Sequence, residues 1–141
     1  MFYQAHCGDL RKIDGLKGDF VWVPTGEKLE LKTDYYSMDA TPNMFFERYS
    51  DKEKRTPGGP WQSLAQGSTL FVYFYVSNLT FYTFNTVELC AFLDENLGRF
   101  TPCDVANKSW TTLGYRVPRT AVEHLATKEY LTVKKSKKGP K

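Results

Sequence analysis

The chain has 141 residues, of which 41% are hydrophobic and 25% charged, with a formal net charge of +3 at pH 7. This composition excludes a disordered polar chain, and this length excludes a large multidomain enzyme, so we expect one globular domain with a real core. The high aromatic share of 16% favours a β-rich structure or a stacking surface. The positive charge suits a polyanion partner. We expect the domain to span 1–133 and a basic, disordered tail to span 134–141.

The sequence also predicts a soluble cytoplasmic protein, in the host cytoplasm if the source is viral. The first residues lack the basic and apolar regions of a signal peptide, and no apolar run approaches the length that spans a bilayer. The cysteines Cys7, Cys90 and Cys103 are odd in number and widely spaced. This spacing favours reduced thiols over a disulfide framework or a zinc site.

The first half of the chain predicts mainly strands. Residues 19–23 and 28–32 are β-type runs separated by the turn residues 24–27, which predicts a β-hairpin. Residues 43–49 predict a third strand. Residues 51–60 are expected to form a loop, followed by a short helix over 61–66.

The second half predicts another hairpin and two helices. Strands over 69–76 and 79–84 turn around Ser77-Asn78, and apolar residues on both faces of the first indicate a central strand covered on both sides. Asn85 is the expected N-cap of a helix that ends at Gly98. The remaining expectations are an irregular segment over 101–109, a strand over 110–117, and a helix from Pro118 through Ala126.

The first hairpin carries the candidate chemistry. Side chains alternate along a strand, so Glu30 and Lys32 share one face while Leu29 and Leu31 face the core. A turn centred on residues 25–26 pairs Asp19 with Lys32, and a slip of two residues pairs Asp19 with Glu30. In both registers the three polar residues share one face.

Two carboxylates and a lysine at one strand end suit a magnesium-dependent hydrolase. Mg²⁺ prefers carboxylate oxygens and completes its shell with water and substrate phosphate. Lysine can orient the attacking water or stabilise developing charge. The alternative for Asp19, Glu30 and Lys32 is a solvated hairpin face with cross-strand ion pairs.

The same segment resembles the core of the PD-(D/E)XK nuclease superfamily, and most of all its small phage and archaeal Holliday-junction-resolvase-like members. The resemblance lies in Gly18-Asp19, in Glu30-Leu31-Lys32-Thr33-Asp34, in Asn43-Met-Phe-Phe-Glu47 and in the loop Gly58-Gly59-Pro60, and it covers roughly residues 18–84. Glycine replaces proline before Asp19. A further acid that many resolvases carry near the N-terminus has only Asp9 and Asp14 as candidates here.

The resemblance implies an α/β domain of the restriction-endonuclease type, with a mixed central β-sheet flanked by helices and a Mg²⁺ site in which Mn²⁺ can substitute. It implies metal ligation by Asp19, Glu30 and the backbone carbonyl of Leu31, with Lys32 catalytic and Glu47 assisting. The expected DNA contacts are Lys54, Arg55, Gln62, Ser63, Lys134 and Lys135.

The expected activity is hydrolysis of DNA phosphodiesters by a structure-selective endonuclease, acting as a homodimer if it cuts two strands. Two alternatives stay open. One is a non-catalytic DNA-binding or virion accessory protein of the same fold, and the other is an exonuclease or nicking enzyme. For Gln62 and Ser63 the alternative is a helix-initiating surface role, and for the aromatic strands a buried sheet rather than a base-stacking platform.

Overall fold

A computed structural model describes residues 10–12, 19–22 and 27–130, with side chains from residue 28 to residue 130. The expected basic tail therefore lies outside the described residues. The strands are β1 Leu10–Lys12, β2 Asp19–Trp22, β3 Glu27–Asp34, β4 Asn43–Asp51, β5 Thr56–Pro57, β6 Leu70–Tyr75, β7 Thr80–Asn85, β8 Thr101–Ala106, β9 Thr111–Pro118 and β10 Ala126–Tyr130. The α-helices are α1 Gly59–Ala65, α2 Thr86–Asn96 and α3 Arg119–Val122, and short 3-10 turns cover Leu97–Arg99 and Glu123–Leu125.

The larger sheet is mixed and has six strands in the order β1-β2-β3-β6-β7-β10. Strand β3 pairs antiparallel with β2 and parallel with β6, whereas β6–β7 and β7–β10 are antiparallel. The parallel pair requires a crossover connection, because parallel neighbours cannot be joined by a tight turn. Strands β4 and β5 and helix α1 lie within that crossover.

The crossover contributes to a second sheet, with four antiparallel strands in the order β5-β4-β9-β8. The prediction of a single central sheet is therefore wrong, because the structure has two sheets. The α/β class and the mixed strand pairing are confirmed. The segment 101–109 was expected to be irregular, but Thr101–Ala106 pairs with β9. The expected loop over 51–60 is also wrong in part, because Thr56–Pro57 forms β5 and Gly59 begins α1.

The main core lies between the two sheets and the helices. It contains the aromatic face of β6 and β7 together with apolar residues of β4, β9 and α2. Its largest fully buried members are Tyr73, Tyr75, Tyr82, Phe46, Phe71 and Phe84. A smaller cluster on the opposite face of the larger sheet is centred on Leu29, Val72 and Phe81. Strand β6 is thus covered on both faces, as its sequence predicts.

Local sequence signals account for α2. The Asn85 side chain accepts a 3.0 Å hydrogen bond from the Glu88 backbone N–H, which satisfies one of the unpaired donors at the start of the helix. The last predicted helix is confirmed as α3 followed by the 3-10 turn over Glu123–Leu125, and only its end is wrong, since Ala126 begins strand β10, which pairs with β7. Cys90 and Cys103 are free thiols. Within the described residues no helix is long and apolar enough to cross a bilayer.

Candidate functional site

Strand pairing brings Asp19 directly opposite Glu30. The β2–β3 register also pairs Val21 with Lys28. The slipped register is therefore the observed one, and the register that pairs Asp19 with Lys32 is wrong. The side chain of Asp19 lies outside the described residues, so the pairing is a statement about the backbone.

The Leu31 carbonyl points toward the β2 side of strand β3. Alternate carbonyls along a strand point to opposite neighbours. The carbonyls of Lys28 and Asp34 accept hydrogen bonds from the N–H groups of Thr69 and Val76 at 2.9 and 3.0 Å, on the β6 side. Leu31 lies an odd number of positions from both Lys28 and Asp34, so its carbonyl points away from β6 and toward the β2 side. Leu31 follows Glu30, which is the last residue of β3 in the described β2–β3 pairing.

The Glu30 carboxylate is held by helix α1. The hydroxyl of Ser63, which is fully buried, donates a hydrogen bond to Glu30 Oε1. The same hydroxyl lies 3.2 Å from the carbonyl of Gly59 in the preceding turn of α1. Ser63 is one of the expected DNA contacts, but its side chain is fully buried and its hydroxyl hydrogen-bonds to Glu30.

Lys32 lies half-buried between two aromatic rings. Its Nζ is 5.8 Å from the centroid of Phe45 and 5.9 Å from that of Tyr73. Ring faces attract a cation, so the two rings restrict the ammonium group. Lys32 pairs with Tyr73 in the β3–β6 register. The polar face of β3 is thus the face that borders the main core. Leu29, on the opposite face, is buried in the smaller core cluster with Leu31 packed against it, so the predicted alternation is confirmed.

A hydrogen-bonded bridge through Tyr73 joins β3 to β4. The Tyr73 phenol donates to Asp34 Oδ2 at 2.6 Å and accepts from the Phe45 backbone N–H at 3.0 Å. Burial, reinforced by the hydrogen bond to Asp34, raises the pKa of Tyr73 well above its usual value. The phenol therefore stays protonated and acts as a fixed donor to the Asp34 carboxylate.

Glu47 lies on β4 beside the start of α1. A Cβ atom on Gly58 would be 3.0 Å from Glu47 Cβ and 3.3 Å from its Oε1, and one on Gly59 would be 2.8 Å from the Glu47 carbonyl oxygen. Gly59 also has a φ of +47°, which L side chains rarely adopt. The glycine pair lets α1 begin against Glu47 while Ser63 on the same helix reaches Glu30.

The other predicted DNA contacts are spread over the surface. Lys54 and Arg55 are exposed in the turn between β4 and β5, where Arg55 lies 5.5 Å from the centroid of the Tyr49 ring. Gln62 is half-buried on α1. Lys134 and Lys135 lie outside the described residues. The structure thus groups Glu30, Lys32 and Ser63 and leaves the basic turn as a separate feature.

Three features of the site were not predicted from the sequence: the hydrogen bond from Ser63 to Glu30, the Tyr73–Asp34 hydrogen bond, and the packing of Phe45 on Gly114. A Cβ on Gly114 would lie only 2.1 Å from Phe45 Cζ, so the ring that flanks Lys32 rests on a glycine of β9. Each depends on contact between residues distant in sequence. Only the Glu-x-Lys-x-Asp alternation of β3 signalled that Asp34 shares the face of Lys32.

The candidate site suits a hard divalent cation only if the Asp19 carboxylate is one of the ligands. No group of three or more His, Cys, Asp or Glu side chains that could hold a metal occurs among the residues whose side chains are described. The side chain of Asp19 is not among those described. Opposite it stands Glu30, whose carboxylate is already oriented by a hydrogen bond, as metal-binding carboxylates commonly are.

Comparison of the chain with protein-family models, with curated proteins and with solved structures gives no match. Function must therefore be argued from the site itself.

Proposed function

We propose that the protein is a metal-dependent DNA endonuclease of the PD-(D/E)XK type. The observation that carries this proposal is the register that sets Asp19 opposite Glu30, with Lys32 two residues further along β3. Residues directly opposite in an antiparallel pair carry their side chains on the same face, about 5 Å apart at Cβ. That spacing suits two carboxylates sharing one ion.

In this proposal Asp19, Glu30 and the Leu31 carbonyl hold Mg²⁺, or Mn²⁺ in its place. The ion, when bound, would polarise the scissile phosphate and acidify a water. The direction of the Leu31 carbonyl supports its inclusion, because it points to the side on which Asp19 lies. Ser63 orients Glu30 for this task, and the proposal assigns it no contact with DNA.

Lys32 supplies the positive charge at the reacting phosphate. Its ammonium group donates hydrogen bonds to the attacking water or to a phosphate oxygen, where charge develops during hydrolysis. The rings of Phe45 and Tyr73 limit the positions that this long side chain can take. Glu47 assists from β4, and Lys54, Arg55 and Gln62 contact the DNA backbone.

We also propose that the fold is of the restriction-endonuclease type. The order of elements from β2 to β7 supports it, since a hairpin, a strand, a helix start and two strands follow one another as the resemblance implies. Within this class we propose a structure-selective enzyme of the junction-resolvase kind, working as a homodimer.

The test is cleavage of labelled linear, flapped and four-way-junction DNA by the full chain. We expect cleavage in Mg²⁺ or Mn²⁺, none in EDTA, and DNA binding with little cleavage in Ca²⁺, whose longer and looser coordination misplaces the water. Asp19→Asn, Glu30→Gln and Lys32→Ala should each abolish cleavage. The matched controls are Glu95→Gln and Lys108→Ala, which change exposed residues outside the proposed metal and DNA contacts.

Binding without cleavage under every metal condition would favour the non-catalytic DNA-binding alternative. Cleavage only from DNA ends would favour an exonuclease, and cutting of one strand alone would favour a nicking enzyme. Wild-type rates in a folded Glu30→Gln variant would remove the metal site from the proposal.

A further inference from the structure

A pocket of about 480 Å³ lies beside the Lys32 end of the candidate site. Two residues connect pocket and site. Phe45 lines the pocket and flanks the Lys32 ammonium group, and Asp34 lines it two residues after Lys32 on the same strand. Two residues of strand span only about 7 Å. A substrate with its phosphate at Lys32 therefore has a neighbouring group within reach of the pocket.

The pocket walls are largely apolar and include aromatic rings. Val105 contributes aliphatic surface, and Phe45 and Tyr36 contribute rings. Tyr36 is 74% exposed and its neighbour Tyr35 is 77% exposed, which is unusual for side chains of this size. Exposed rings beside an apolar pocket are suited to stacking on a nucleobase.

The charged groups of the pocket are one carboxylate and one guanidinium. Asp34 accepts hydrogen bonds from the Tyr73 phenol and from the Tyr36 N–H, which use two of about four acceptor positions. The fixed carboxylate can accept from the N–H groups of a base edge. The Arg116 guanidinium donates to the Cys103 sulfur at 3.6 Å, and this is its only hydrogen bond within the described part of the chain.

The balance of charge indicates which part of a nucleic acid enters. A phosphate inside the pocket would meet the Asp34 carboxylate as well as Arg116, so an anion gains little there. A planar, uncharged group with donors and acceptors at its edge matches both side chains and the apolar walls. The volume is within the range of small-molecule pockets and leaves room for a base with its sugar.

We propose that this pocket binds an unpaired nucleobase of the DNA substrate, close to the phosphate that is cut. The inference rests on the proposed function and deepens it, because it makes an unstacked nucleotide the feature that the enzyme selects. A base held in a duplex cannot enter, so the pocket favours bulges, flaps and junction points over fully paired DNA.

The test compares two duplexes that differ only in one unpaired 2-aminopurine, with the full chain in Ca²⁺ so that binding is read without cleavage. Anisotropy of an end label gives the Kd, and 2-aminopurine emission reports stacking of the base. We expect about tenfold tighter binding of the bulged duplex, with quenched emission. Ala40→Trp, which fills the pocket from an exposed turn, and Arg116→Ala should lose this preference and keep the affinity for paired DNA.

Arg99→Ala is the matched control, because it removes an exposed arginine that does not line the pocket. It should keep the preference. Equal binding of both duplexes by the wild-type chain, or a preserved preference in both pocket variants, would overturn the inference while leaving Mg²⁺-dependent cleavage as a separate result. Binding of free deoxyadenosine monophosphate as tight as that of the bulged duplex would instead define a mononucleotide site. Failure to bind either DNA would overturn the proposed function as well.

Discussion

The buried hydroxyl of Ser63 donates a hydrogen bond to the carboxylate of Glu30. This contact joins helix α1 to strand β3 at the residue that the proposed chemistry needs most. A carboxylate that must bind an ion gains from a fixed orientation, and a buried donor on a helix supplies it.

We predict that Ser63→Ala lowers the cleavage rate at limiting Mg²⁺ by about 10- to 100-fold, as loss of such orienting partners commonly does. The fold should persist, because alanine suits a helix and no buried donor is left unpaired. The measurement is cleavage rate against Mg²⁺ concentration. Ser68→Ala is the control, since that hydroxyl is buried without a hydrogen-bond partner among the described residues and its loss should be neutral. An unchanged Mg²⁺ dependence in Ser63→Ala would contradict the prediction.

We predict that Gly114→Ala destabilises the protein by about 1–3 kcal/mol, because the added methyl group would overlap the Phe45 ring. Urea unfolding measures the change. Phe45→Leu in the same chain should recover part of the loss, giving a non-additive double-mutant cycle. Gly98→Ala is the control, since a Cβ there meets nothing within 4 Å. Additive effects of the two substitutions would show that the ring and the glycine are independent.

We predict that stability falls as the pH rises above about 10, in part through Tyr75. Burial is the main cause that raises the pKa of Tyr75 to about 12, and the nearby charge of Arg119 opposes it. The unfolded chain ionises near pH 10 and the folded chain near 12, so the stabilisation is full below pH 10 and is lost between the two values. The loss is about 1.4 kcal/mol per pH unit for one such group.

The Tyr75→Phe variant checks this. Between pH 9.5 and pH 11.5, below the Tyr75 pKa of about 12, its free energy of unfolding should fall less steeply with pH than that of the wild type. At neutral pH it should be close to wild type, because the Tyr75 hydroxyl is buried without a hydrogen-bond partner among the described residues. Tyr130→Phe, on an exposed ring, is the control. Identical slopes in the wild type and Tyr75→Phe would be the contrary result.

We predict that removal of residues 134–141 weakens binding to every DNA and flattens its salt dependence. Every lysine–phosphate pair that the truncation removes should lower the salt slope by about 0.9 on duplex DNA. Lys54→Ala with Arg55→Ala should act in the same direction, whereas Lys108→Ala should not. Kd measured across a salt series decides the matter, and an unchanged slope after truncation would mean that the tail does not contact DNA.

Local signals in the sequence predicted much of the framework. The β6–β7 hairpin follows its turn residues, and α2 begins at the Asn85 cap. These elements depend on neighbours in the chain, and local patterns carry that information. The alternation along β3 likewise predicted that Glu30 and Lys32 share a face.

Contacts between distant residues were not predictable in the same way. Strand β8 contains Pro102 and is mostly exposed, so it lacks the apolar alternation of a strand, and it exists because β9 offers a partner. Strand β10 was likewise not predicted, and it forms where β7 offers a pairing partner. The Ser63–Glu30 contact depends on how α1 lies over the larger sheet, which no single segment encodes.

The parallel pairing of β3 with β6 has a consequence for how the protein can be dissected. Leu29 is paired with Leu70, and everything between them, including the strand that carries Glu47 and the helix that carries Ser63, is enclosed by that pairing. An isolated two-stranded hairpin is marginally stable at best in water. A peptide of β2 and β3 would therefore carry the carboxylates and the lysine without their surroundings, which makes the site a property of the whole domain and not a portable motif.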